Sequence, residues 1–222
     1  RAKLKVTDVS GTQLLLGLGG KGAIEILARA GLPAPESAFE TQAAEGLQVL
    51  AYPGRQERFL LLVPAERLAK SWQQLCAAGA RPIGNAWWQR KDILAGQPWI
   101  TAATQDEFIA QMINYELLGG VNFQKGCYPG QEIIARTQHL GRLKKRMYLA
   151  RVEGPASPAQ DLYSPGFGEQ SCGKLVNVAP SPEGGTELLA VLQMSAFEAG
   201  DVRLGAPDGP RLVFGEQPYP VD

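Results

Sequence analysis

Residues 46–63 read GLQVLAYPGRQERFLLLV. Two apolar runs, 46–52 and 57–63, flank Pro53-Gly54-Arg55-Gln56, so the stretch is expected to be an antiparallel hairpin. What precedes it makes this reading decisive. Residues 12–19 read as a strand. Residues 22–30 read as a helix with Ile24, Leu27 and Ala28 on one face and Gly31 as its stop. Between them, the run from Gly17 through Gly19 to Gly22 fits GxGxxG, and Glu40 and Glu45 follow at about the spacing of a dinucleotide fingerprint. A dinucleotide-binding unit needs a parallel strand directly after its helix. A hairpin there makes at least one pairing antiparallel, so the glycines are read as permitting a tight turn and close helix–sheet contact. Pro64 then opens a helix over 65–78, with Leu68, Trp72 and Leu75 facing inward and Gly79 closing it. Strand, helix, strand, strand, helix is the order of an α+β layer with helices on one sheet face.

From Arg81 to Gly120 the text is mixed. Trp87 and Trp88 precede Ile93-Leu94-Ala95-Gly96, and Asn114–Leu118 suggests a helical turn before Gly119-Gly120. Past residue 143 the character changes to short apolar runs at 147–152, 174–178, 187–193, 202–204 and 211–214, punctuated by Gly and Pro. That is the pattern of a small β-barrel or sandwich. The expected division is therefore 1–143, an α+β region, and 144–222, a C-terminal β-barrel. Arg1 is not a methionine, and the chain enters straight into strand-like text at Leu4 and Val6, so an upstream segment is expected.

Composition narrows the function classes. Of 222 residues, 45% are hydrophobic and 20% charged, as in an ordinary globular protein. Lys plus Arg equals Asp plus Glu at 22 each, so global charge points neither to nucleic acid nor to a membrane surface. No apolar run reaches the roughly 18 residues of a membrane span. Cys76, Cys127 and Cys172 are odd in number and widely spaced, which suggests a reducing compartment rather than a disulfide framework. With His139 the single histidine and no CxxC, no structural zinc site is expected.

The richest local chemistry is Lys125-Gly126-Cys127-Tyr128-Pro129-Gly130-Gln131-Glu132. Tyr128-Pro129-Gly130 reads as a tight turn, and Gln131–Gln138 as a helix. A thiol beside a lysine and before a helix start sits where positive potential favours thiolate. The bland alternative is an inert cysteine in a packed turn. Around it lie Lys125, Arg136, Arg142, Lys144, Lys145, Arg146 and Arg151, opposed by Glu132 alone. This is either an anion site for a carboxylate tail, phosphate or RNA, or a solvated stretch at a domain junction. Two adjacent tryptophans on an extended segment would point to opposite faces, leaving Trp88 free to stack on a planar heterocycle. The alternative is that Trp72, Trp87, Trp88 and Trp99 are all core. Cys76 and Cys172 are read as packing residues.

With these motifs, the chain resembles the YgfZ-type folate-binding proteins, relatives of the glycine-cleavage T-protein (an aminomethyltransferase) and of a mitochondrial iron–sulfur assembly factor. Residues 125–132 match the signature K-G-C-[FY]-x-G-Q-E without a mismatch. Phe108-Ile109-Ala110-Gln111 through Asn114 is similar to F-[IL]-P-Q-x-x-N, with Ala110 where proline is usual, and residues 119–123 continue the likeness. The resemblance implies T-protein-like α+β lobes and a C-terminal β-barrel around a central hole that holds tetrahydrofolate, in a cytoplasmic protein that maintains iron–sulfur enzymes, one of them a tRNA methylthiolase. It places Trp88 at the spacing of a folate-contacting tryptophan. On the leading reading of the residues, Trp88 stacks on or flanks the pterin or benzoyl ring, Arg136 and Arg142 attract the glutamate tail, Cys127 is the functional thiol, Lys125 helps hold it ionised, and Glu132 caps the helix or tethers the loop. Family members are longer at the N-terminus, where a further folate contact and the T-protein's catalytic aspartate reside. Two other readings stay open: an aminomethyltransferase-like one-carbon transfer enzyme, and an RNA-binding module using the Arg142–Arg146 stretch.

Overall fold

A computed structural model describes residues 3–54, 56–139, 141 and 143–221. The chain forms two compact units, residues 1–84 and 85–222.

In the first unit, strand β1 (Gln13–Gly19) leads into helix α1 (Ala23–Arg29), followed by β2 (Thr41–Ala44), β3 (Leu47–Ala51) and β4 (Arg58–Pro64). The sheet order is β1-β4-β3-β2 and each pairing is antiparallel, which removes the dinucleotide reading on the ground anticipated. The expected hairpin is β3–β4; Arg55 of its turn lies outside the described residues. A 3-10 turn over Ala65–Arg67 then enters helix α2 (Leu68–Ala77). The core joins Leu47, Val49, Phe59, Leu61 and Val63 of the sheet to Leu27 of α1 and Leu75 of α2.

Leu27 and Leu75 face inward as expected, but the rest of each expected face does not. In α1 the interior positions are Ala23, Leu27 and Ala30, while Ile24 is 43% exposed. In α2 they are Ser71, Leu75 and Ala78, and Trp72 is 43% exposed. The physical reason is size. Small residues at i and i+7 with a leucine between them let a helix lie close on a sheet, and a tryptophan in that row would hold it off. Leu4 and Val6 are exposed and belong to no strand.

The second unit opens with α3 (Asn85–Leu94), so the paired tryptophans stand on a helix rather than an extended segment. Residues 101–120 wind through consecutive turns, including the one expected at Asn114–Leu118, to α4 (Gln131–His139). Then come β5 (Lys145–Val152), β6 (Asp161–Tyr163), β7 (Gly173–Pro180), β8 (Thr186–Gln193), helix α5 (Met194–Ala199), β9 (Arg203–Leu204) and β10 (Val213–Phe214). They form a six-stranded sheet, β10-β5-β8-β7-β6-β9, antiparallel throughout. The sheet curls as a half-barrel; its edge strand β9 meets Arg211 through one bridge, Arg203 to Arg211.

Alternation along the central strands fills two cores. Tyr148, Ala150, Val152, Leu188, Ala190 and Leu192 face one side and pack with Leu162, Val202 and Leu212. On that side Tyr148 stacks on Phe197 at 3.8 Å between centroids, with Phe214 edge-on to both. Met147, Leu189 and Val191 face the other way and pack against Ile93 of α3 and Ile113 of the turn segment. Arg90 of α3 is paired with Glu187 of β8 at 2.8 Å.

Leu27→Ala is expected to lower stability by about 2–5 kcal/mol in urea denaturation, whereas Ile24→Ala should cost under about 1 kcal/mol. Equal losses would restore the other helix face.

Candidate functional site

The site is built on the segment from Phe108 to His139 and on β5, all within the second unit. The turn at Tyr128-Pro129-Gly130-Gln131 forms as its residue types require. Gly130 takes φ 84° and the Gln131 N–H donates to the Tyr128 carbonyl at 3.3 Å. The Tyr128 N–H in turn donates to Gln131 Oε1 at 3.2 Å. That reciprocal pair fixes the entry to α4 in the manner of a capping box. The tethering assigned to Glu132 is thus made by its neighbour Gln131; Glu132 itself is exposed.

Cys127 is exposed, which removes the packed-turn alternative. Lys125 is exposed too, and its Nζ lies 4.3 Å from the centroid of the Tyr128 ring, a cation–π contact across the turn. Arg136 is exposed on α4, one turn after Glu132. Arg142 lies outside the described residues. The other cations of the run disperse. Arg146 pairs with Glu116 and Arg151 with Glu183, so the segment is not one continuous basic surface. His139 packs edge-on against Phe123. Among the described residues no cluster of His, Cys, Asp or Glu could hold a metal ion.

Trp88 is half-buried on α3, its ring tilted 52° from that of Trp87 at 6.4 Å. Trp87 is in turn covered by Lys91 Nζ at 5.3 Å. Trp99 is 54% exposed rather than core. Its backbone is clamped on both sides by the Asn177 amide, at 2.8 Å each, and its indole N–H donates to buried Asp92 at 3.0 Å.

Beneath α4 lies a polar network that sequence reasoning did not assemble. Gln111 is 2% exposed and Asn114 0%. The Gln111 side-chain amide donates to the Ile134 carbonyl of α4 at 2.7 Å. The Asn114 amide donates to the Met147 carbonyl of β5 at 2.8 Å. Arg146 donates to the Gln111 carbonyl at 3.1 Å and is paired with Glu116 Oε1. The Tyr219 hydroxyl donates to the Gly96 carbonyl at 2.8 Å and lies 3.5 Å from the Asn114 amide nitrogen. Burial pushes the Tyr219 hydroxyl above the ordinary tyrosine pKa; the Asn114 amide only partly offsets this. Gly96 is required there: at φ 65° a side chain would strain the backbone, and a Cβ would come within 2.6 Å of Pro218 and of the Tyr219 ring. The sequence did hold a signal for this network. Gln111 and Asn114 interrupt the apolar run that includes Met112 and Ile113, where a polar residue must be satisfied or serve a purpose.

No protein-family model matches the chain. Curated relatives do. A tRNA-modifying protein YgfZ of Pectobacterium atrosepticum is 31% identical over 213 residues, 94% of this chain and 63% of that protein. One of Edwardsiella ictaluri is 29% identical over 226 residues, the whole of this chain and 67% of the relative. The chain is similar to the YgfZ proteins. A further YgfZ, of Pectobacterium carotovorum, is 38% identical over 137 residues, 61% of this chain. The chain spans 40%, 63% and 67% of the length of these three YgfZ proteins. Among solved structures, the glycine cleavage system aminomethyltransferase T of Bartonella henselae superposes with TM-score 0.69 at 15% identity, over 93% of this chain and 59% of that one. The fold of the chain is therefore T-protein-like, with antiparallel sheets and helices. No helix among the described residues is long and apolar enough to cross a membrane.

Iodoacetamide should alkylate Cys127 first. Cys172 is fully buried, and burial pushes its thiol above the usual cysteine pKa, so its labelling should wait for unfolding. Peptide mass spectrometry reads the order; Cys172 reacting as fast as Cys127 would contradict it.

Proposed function

We propose that this YgfZ relative binds tetrahydrofolate and supports iron–sulfur enzymes and, through them, tRNA modification by methylthiolation. The observation that carries the reading is the exposed Cys127 just before α4, with Lys125, Glu132 and Arg136 also exposed within the same stretch of sequence. The relatives' name, tRNA-modifying protein, and the T-protein-like fold support it. The residues present fit the chemistry of a folate. Trp88 offers an aromatic face to a flat ring, and Lys125 and Arg136 are cations open to the glutamate tail. Arg142 is proposed as a third. Bound tetrahydrofolate would supply a one-carbon carrier, and Cys127 a nucleophilic thiol that accepts or passes a one-carbon, sulfur or iron species.

In this reading residues 1–143 form the folate-binding region and residues 144–222 a small C-terminal barrel. The bridge between Arg203 and Arg211 favours closure of that barrel, since residues 213–214 continue onto β5. The protein acts in the cytoplasm, where free cysteines such as these three persist. A second reading, direct one-carbon transfer, is favoured by the likeness to an aminomethyltransferase fold. It requires turnover of a methylene or aminomethyl donor on tetrahydrofolate. RNA binding as the primary role is disfavoured, because Arg146 and Arg151 are held by carboxylates.

Calorimetric titration with tetrahydrofolate should show weaker binding to Trp88→Ala by about tenfold or more, as loss of a stacked ring implies. Unchanged affinity would remove Trp88 from the site. Cys127→Ala should fail to restore an iron–sulfur tRNA methylthiolase in cells that lack the protein; full rescue would make the thiol dispensable.

A further inference from the structure

The chain leaves the sheet after Phe214, although β5 offers it a further rung. Val213 and Phe214 pair with Arg151 and Ala150, so the ladder would continue at Leu149. Residues 215–221 form neither strand nor helix. Pro218 and Pro220 have no N–H to give to a ladder. The Gln217 side chain takes the rung in place of backbone. Its Oε1 accepts the Leu149 N–H at 2.7 Å, and its Nε2 donates to the carbonyls of Leu149 and Gly215 at 3.0 Å each. Farther on, Pro218 and the Tyr219 ring lie close over Gly96, just past α3. The Tyr219 hydroxyl donates to the Gly96 carbonyl at 2.8 Å, beside the Asn114 amide.

We propose that residues 215–221 act as a strap. Fastened to β5 by Gln217 and latched over Gly96 by Tyr219, the strap holds the turn segment in place and, through it, α4, whether or not a folate binds. The support runs on without a break. The Asn114 backbone N–H donates to the Gln111 carbonyl at 3.2 Å, and the Gln111 side-chain amide donates to the Ile134 carbonyl of α4 at 2.7 Å. No residue of α4 is buried, so apolar packing offers that helix little substitute once the strap lifts. Side-chain bonds to an irregular segment can open without breaking the β5–β8 ladder, which makes the strap a local device rather than part of the sheet. Presentation of Cys127, just before α4, then depends on residues far along the chain.

Hydrogen exchange read by mass spectrometry tests this on the unmodified protein, Tyr219→Phe and Gln217→Ala. Tyr219→Phe keeps the ring over Gly96 and removes only the hydroxyl, while Gln217→Ala frees the strap at its β5 end. Each variant should speed amide exchange in residues 110–120 and 131–139 by about fivefold or more and leave the β8 amides unchanged. Trypsin should likewise cut after Arg136 about fivefold faster, since cleavage within a helix requires it to open. Faster exchange confined to residues 215–221, or an unchanged α4, would make the strap a passenger and overturn its assigned role. So would an equal gain in β8, or a variant that does not fold, because either marks a general stabiliser of the unit. An effect from one variant alone would reduce the contact to a local bond and overturns the strap as well.

Discussion

Strand β8 is buried along nearly its whole length, and the second unit is organised by that fact. A strand apolar on both faces needs two covers, because each exposed face would leave several leucine-sized side chains in water at about 1.5–3 kcal/mol apiece. One cover is the concave side of its own sheet, closed by Leu162, Val202, Leu212 and the Tyr148–Phe197–Phe214 cluster. The other is α3 with the turn segment that follows it, through Ile93 and Ile113. The second cover also carries the site. The segment that supplies Ile113 to the core supplies Gln111, Asn114 and Glu116 to the polar network beside it.

That arrangement explains why so irregular a segment can be held. Turn after turn between residues 101 and 120 leaves backbone groups that no ladder satisfies. Arg146 takes up part of this work at the Gln111 carbonyl, and the Asn114 side chain ties the segment to the Met147 carbonyl of β5. Asn114 does so at φ 60°, a left-handed conformation that asparagine tolerates better than most residues. Breaking one partner of the Arg146–Glu116 pair would leave an uncompensated charge in a desolvated place, so the pair serves definition of the site more than net stability.

Helix α4 has the opposite character. None of its residues is buried, and Ile133 is 58% exposed. Its entry is fixed by the Tyr128–Gln131 exchange and its middle by Gln111. A thiol on such an element is presented to solvent by local geometry, while the buried network anchors the helix from below. Exposure of Cys127 and burial of Gln111 are thus two ends of one construction.

Local patterns that answer to short-range physics were legible in the residues: the β3–β4 hairpin, the positive-φ glycine before α4, the strand runs after residue 143 and the KGCYPGQE loop itself. Turn stereochemistry and apolar runs act over a few residues, so sequence alone determines them. Three things were decided only in three dimensions. Helices α1 and α2 chose their faces by how closely small residues let them approach the sheet, which put Ile24 and Trp72 outside. The cation run dissolved because Glu116 and Glu183, thirty and thirty-two positions from their partners, capture Arg146 and Arg151. The polar network under α4 joins residues from 96 to 219, and no spacing rule reaches that far. Long-range pairing is set by which surfaces meet, and that is a property of the packed chain rather than of any stretch of it.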